Sequence, residues 1–171
     1  MIDQGDDVHE SALQRFLKKD QYQPATLVSG LLDQVRFQRL VPVKFGESKS
    51  FVVDAAQLWN PSGILLEPDG VYDVEVQADQ TWRDWYIRTD ADGYKRKALR
   101  PWEFLRRVPD QNWFKLMGAI GRDEKGAIAI GRSRRSFSPG KSGELLCFAN
   151  DIAWMYWNNR GLIRVTITRV K

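Results

Sequence analysis

Asn150-Asp151-Ile152-Ala153-Trp154-Met155-Tyr156-Trp157-Asn158-Asn159-Arg160-Gly161 joins two segments that both read as buried strands. Leu145 to Ala149, before it, is a short apolar run. Leu162-Ile163-Arg164-Val165-Thr166-Ile167-Thr168, after it, alternates with a period of two, the pattern of a half-buried strand. The stretch between them is a loop rich in oxygen-bearing side chains, and loops between strands are where binding residues concentrate.

Calcium is the ion such a loop could hold. It takes roughly 6 to 8 oxygen ligands from carboxylates, amides and main-chain carbonyls, and the loop contains neither the His nor the Cys that zinc prefers. Asp151 would supply charge, and Asn158 and Asn159 neutral oxygens. Adjacent side chains on extended backbone point to opposite sides, so both Asn residues reach one ion only if the chain turns sharply there; Gly161 permits a turn. A single carboxylate compensates a divalent cation poorly, which suits the site to calcium-rich surroundings outside cells and leaves positions open for a ligand's hydroxyls. The same residues also fit an ordinary Asn-Asn-Xaa-Gly turn that needs no metal.

Working outward, the pattern from residue 36 onward is all β. Strand candidates are Arg36 to Phe45, Ser50 to Ala55, Gly63 to Leu66, Val71 to Ala78, Phe114 to Ile120, Ala127 to Ile130, Glu144 to Ala149 and Leu162 to Val170. Pro-Asp-Gly, Asp-Gly, Pro-Gly and Asn-Asn-Xaa-Gly punctuate them, which predicts a mainly β protein with a sandwich architecture. Within Val71 to Ala78, the side chains of Tyr72, Val74, Val76 and Ala78 share one face, and those of Asp73, Glu75 and Gln77 the other. Trp82, Trp85, Trp154 and Trp157 fall near the loop, where aromatic faces either pack against sugar C–H faces or fill the end of a sandwich.

Residues 1–35 differ from the rest. Val8, Ala12, Leu13, Phe16 and Leu17 form one apolar stripe over 6–19, with Asp6 or Asp7 placed to cap a helix. Residues 20–35 mix Pro24, Gly30 and polar residues without a period and read as a linker to a β-sandwich domain over 36–171. The first residues are acidic and polar, unlike a signal peptide, and no run approaches the roughly 18 apolar residues of a membrane span. The lone Cys147 sits in an apolar run and reads as a small core residue.

A formal charge of +4 makes the surface mildly basic. The clusters Lys95-Arg96-Lys97 with Arg100, Arg106-Arg107 and Arg132-Ser133-Arg134-Arg135 read as solvated loops or outward strand faces, with no signature of nucleic-acid binding. They also suit docking on a membrane surface, and self-association is left open.

The loop resembles the metal and sugar loop of the PA-I type galactophilic bacterial lectins, small jelly-roll sandwiches with a galactose-binding-like fold in which calcium bridges protein and two sugar hydroxyls. There an Asn-Asp pair is followed, at the spacing seen for Asn150-Asp151 and Asn158-Asn159, by an Asn-Asn pair and a Gly two residues on. Phe51 to Ala55, Ser62 to Leu66 and Asp69 to Val76 are similar to that family's opening strands, and the likeness spans about residues 48–171 with gaps. It implies calcium as cofactor, bound by Asp151, Asn158, Asn159 and the main-chain oxygens of Trp85 and Met155, and a glycan or glycolipid as partner. Trp82-Arg83-Asp84-Trp85 falls where the family has a Trp and, three residues on, a Tyr with a calcium-binding carbonyl. The family's sugar-contacting His-Pro-Xaa-Gln corresponds to Val108-Pro109-Asp110-Gln111, which implies sugar contacts from Asp110 and Gln111; Val108 cannot hydrogen-bond a hydroxyl.

Asp7-Val8-His9-Glu10-Ser11, with Arg15-Phe16 and Tyr22-Gln23-Pro24-Ala25, resembles the end of the α/β-hydrolase domain in phospholipase effectors of the type VI secretion class, where such a His is catalytic. His9 would then be a general base without a nucleophile in this chain, since no Gly-Xaa-Ser-Xaa-Gly elbow precedes it; the other reading is a surface residue of an amphipathic helix. Neither makes this chain catalytic alone. The resemblances together imply a non-enzymatic sugar-binding module that targets a secreted lipase to another cell's envelope. A structural domain of such a hydrolase, binding no ligand, is the alternative.

Overall fold

A computed structural model of the chain describes residues 40–171. The helix expected over 6–19, His9, and the linker to residue 35 lie outside the described residues.

The alternating segment after the loop is the centre of one sheet. β12 (Leu162–Arg169) pairs antiparallel with β2 (Ser48–Asp54) on one side and β4 (Tyr72–Val76) on the other, and β4 pairs with β9 (Ser133–Phe137), giving the order β2-β12-β4-β9. Its period of two is realised: Ile163, Val165 and Ile167 are all fully buried, each burial stabilising by about 1.5–3 kcal/mol. On the outer face Ser50 and Thr166, directly opposite in register, are joined Oγ to Oγ1 at 2.8 Å, and Ser48 and Thr168 likewise at 2.7 Å.

The second sheet is built on the apolar run before the loop. β10 (Gly143–Ala149) lies between β3 (Asn60–Leu66) and β7 (Leu116–Ile120), with the short β1 (Val41–Pro42) parallel to β3 and β8 (Ile128–Ala129) on β7. Every residue of β10 is buried because both its faces are covered. Leu145, Cys147 and Ala149 enter the core with Ile163, Val165, Ile167, Tyr72 and Val74 from the other sheet. Burial also pushes the Cys147 thiol far above its ordinary pKa. On the opposite face Phe148 is met edge-on by Trp59, ring centroids 5.1 Å apart, and by the Arg107 guanidinium, 3.6 Å above its ring. The expected mainly β sandwich is what the described residues form.

Several local expectations are corrected. Four strands escaped the sequence pattern. β5 (Trp82–Asp84), β6 (Ile87–Thr89) and β11 (Asn159–Arg160) are two or three residues each, too short to show a period. β9 is polar because it is an edge strand with four of its five residues exposed. β4 stops at Val76, and Ala78 is exposed rather than in the core. Residues Lys97–Leu105 form a 3-10 helix. Arg106 and Arg107 are not solvated: their side chains are 4% and 2% exposed. Arg107 stacks on Phe148 and Trp59 while pairing with Glu124 at 2.8 Å, and Arg106 lies 4.9 Å from the Trp113 ring. These planar cations fasten the 106–113 segment to the sandwich.

Candidate functional site

The site sits where the third, small sheet meets the end of β10. β11, β5 and β6 form that sheet in the order β11-β5-β6, and the register places Asn159 opposite Asp84. β5 and β6 are joined by the two-residue turn Trp85-Tyr86, in which Trp85 takes a left-handed φ of +50°.

Asn150 and Asp151 leave β10 with opposite tasks. Asn150 is fully buried and its amide is saturated: Oδ1 accepts from Val108 N at 2.9 Å, and Nδ2 donates to the carbonyls of Val108, Gln111 and Asn112 at 2.9, 3.3 and 3.0 Å. It is the clip that shapes the Val108–Asn112 turn. Asp151 is buried, 2% exposed. Its Oδ1 accepts from Ile152 N at 2.7 Å and its Oδ2 from Asn159 Nδ2 at 3.0 Å. Its carbonyl accepts from Arg107 N at 3.1 Å.

The backbone changes direction between Asn158 and Asn159. Asn158 closes a 3-10 turn (Tyr156–Asn158) and Asn159 opens β11 in extended geometry, φ −76° and ψ 148°. Asn159 Nδ2 also donates to Ala55 O at 3.3 Å, and Ala55 N donates to Gly161 O at 3.0 Å, which ties the loop to the end of β2. Gly161 has φ +110°, and a Cβ there would stand 2.9 Å from Trp82 Cα, so only glycine lets β11 lie against β5.

What remains is a concentration of unshared oxygen. Among the described residues, Asn158 Oδ1 and Asn159 Oδ1 are buried side-chain acceptors without a hydrogen-bond partner. Leaving a buried acceptor unpaired costs about 1–3 kcal/mol. Burial, with the nearby Asp84 charge next, raises the Asp151 carboxyl from 3.8 to about 6, against the opposing bonds from Ile152 and Asn159. Asp84 is also raised by burial, although the Tyr94 hydroxyl donates to its Oδ2. The Tyr94 phenol is in turn driven far upward by burial and by that carboxylate. The buried Asp151 and half-buried Asp84 carboxylates repel each other, a repulsion that a nearby cation would relieve. Among the described residues no three His, Cys, Asp or Glu cluster, so an ion here depends on neutral oxygens. Carboxylate, amide and main-chain oxygens are the donor types that calcium takes.

Met155 precedes the 3-10 turn and its carbonyl accepts from Asn158 N at 3.1 Å. Trp85 follows Asp84 directly. Asp110 is exposed and Gln111 Oε1 accepts from Lys115 Nζ at 3.1 Å, both on the turn that Asn150 holds. Trp82 is buried, its Nε1 donating to Asp90 O at 3.0 Å, whereas Trp85, Trp154 and Trp157 are exposed. Sequence reasoning missed Asp84 and Tyr94 altogether; only the pairing of Asp84 with Asn159 marks them.

The described fold is a β-sandwich with a small third sheet. No family profile and no curated protein matches the chain. Among solved structures it is similar to the N-terminal domain of EclA, a PllA-like lectin, with a TM-score of 0.53 and 18% identity, over 70% of this chain and 94% of that one. At that identity the likeness establishes the fold.

Proposed function

We propose that residues 40–171 form a calcium-dependent carbohydrate-binding module. The observation that carries this reading is the pair of buried, unpartnered oxygens, Asn158 Oδ1 and Asn159 Oδ1, on a loop whose Asn159 bonds Asp151 and pairs in register with Asp84. Asp151, Asn158 and Asn159 would hold the ion with main-chain carbonyls from the Met155 and Trp85 neighbourhoods. A bound calcium supplies coordination positions at which two hydroxyls of a sugar replace water. The protein's own part is rigidity. Asn150 fixes the 108–112 turn that carries Asp110 and Gln111, and the Asp84–Tyr94 bond fixes the second carboxylate. The likeness to a lectin domain supports the reading. Within a longer secreted protein, such a module would carry a neighbouring lipase to the glycans or glycolipids of a target envelope.

Isothermal titration of the full chain with methyl galactoside, in calcium and then in chelator, tests the proposal. Heat of binding in calcium that disappears in chelator, and is absent from Asn158→Ala, is the expected result. Sugar affinity that survives chelation refutes the role given to the ion.

A further inference from the structure

A basic cleft adjoins the proposed sugar site. It encloses about 650 Å³ and its lining includes Lys95, Arg96, Lys97, Arg100 and Arg106, against two carboxylates, Glu103 and Asp110. Glu103 lies 3.8 Å from Arg106, and Arg96 donates to Tyr86 OH at 2.6 Å. The side chains of Lys95, Lys97 and Arg100 make no hydrogen bond or ion pair among the described residues. Three free cations gathered in one cleft repel each other and attract a counter-charge.

The cleft and the site share structure. Gln111 and Asn112 line the cleft, and it is their carbonyls that the Asn150 amide grips. Arg106 pairs across a β-bridge with Ile152, next to Asp151, and Tyr94, which bonds Asp84, adjoins Lys95. A saccharide held by its hydroxyls at Asp151, Asn158 and Asn159 would extend along that shared wall.

We propose that the saccharide is anionic: it bears a carboxylate, sulfate or phosphate that Lys95, Lys97 and Arg100 receive, while its hydroxyls occupy the ion site. The inference rests on the carbohydrate-binding reading above and names the ligand class. Oxyanions take charge-assisted hydrogen bonds from Lys and Arg, stronger than those a neutral hydroxyl accepts.

Calorimetry of the full chain in calcium, with methyl galactoside, galacturonate, galactose 6-sulfate and galactose 6-phosphate, tests this and separates the three oxyanions. At least one charged sugar should bind on the order of tenfold tighter than the neutral one, the worth of one charge-assisted bond. That advantage should shrink with added salt and vanish in K95Q/K97Q/R100Q, whose calcium-induced rise in Tm serves as the control for folding. Charged sugars that bind no tighter than the neutral one overturn the inference and leave the module's proposed function standing. Charged sugars that bind equally well in chelator uphold the cleft but refute the ion. Binding to phosphatidylglycerol vesicles without binding to any charged sugar overturns the inference in favour of a lipid surface.

Discussion

Replacing Asp151 by Asn separates the charge of the site from its shape. In the folded chain the Asp151 carboxyl titrates at about 6 rather than 3.8, because it is buried and faces the Asp84 charge. A folded-state pKa above the unfolded one means that the native protein holds this proton more tightly than the unfolded chain does. The group's contribution is therefore fully present below about pH 4 and is lost as pH rises through about 6. The difference of about two pKa units corresponds to about 3 kcal/mol withdrawn at pH 7.5 in ion-free protein, on the order of 10 °C in Tm for a domain of this size. A bound cation reverses the sign by stabilising the ionised form. The assay is scanning calorimetry of wild type and Asp151→Asn between pH 4.5 and 8, in chelator and in calcium. In chelator, wild type should lose stability relative to the variant as pH rises. At pH 7.5 calcium should raise the wild-type Tm, by about 2.7 kcal/mol of stability at a hundredfold excess over Kd, and leave the variant unmoved. Parallel pH profiles for the two proteins in chelator would show that the carboxylate is not strained by burial. A calcium response of equal size in both would show that Asp151 is not a ligand.

Three further substitutions probe the framework. Asn150→Ala strips Val108 N and three carbonyls of their shared partner, so urea unfolding should register a loss of at least about 2 kcal/mol; unchanged stability would mean that water replaces the amide without cost. Gly161→Ala forces a Cβ against Trp82 Cα at φ +110°, which should cost about 1–3 kcal/mol and abolish the calcium-induced Tm rise together with the β5–β11 pairing, checked by thermal melts with and without calcium. Trp85→Ala should preserve that calcium response, since only the residue's main-chain oxygen is assigned to the ion; a lost response in a folded variant would move the role to the indole.

How much of this was readable beforehand depends on the range of each interaction. The strands β10 and β12 were visible because a strand's face assignment is a period-two pattern within one short segment: Ile163, Val165 and Ile167 must point together wherever the chain goes. The loop residues Asp151, Asn158 and Asn159 were visible as oxygen donors at a spacing. Asp84 was not, since nothing in Trp82-Arg83-Asp84-Trp85 distinguishes it from a surface acid until β5 is laid beside β11. Arg106 and Arg107 looked like one more basic cluster, and became buried anchors only once Phe148, Trp59 and Trp113 surrounded them. Asn150 belongs to the same loop in sequence, yet its amide is spent on the 108–112 turn.

By itself, then, the chain's alternation and turn residues determined the β-sandwich and the position of its loop, because hydrophobic burial and turn chemistry act over a few residues. Tertiary structure alone decided which oxygens are left without partners, which carboxylates feel each other and which cations gather in one cleft. Those properties are electrostatic, and they depend on distances set by the register of strands far apart in the chain.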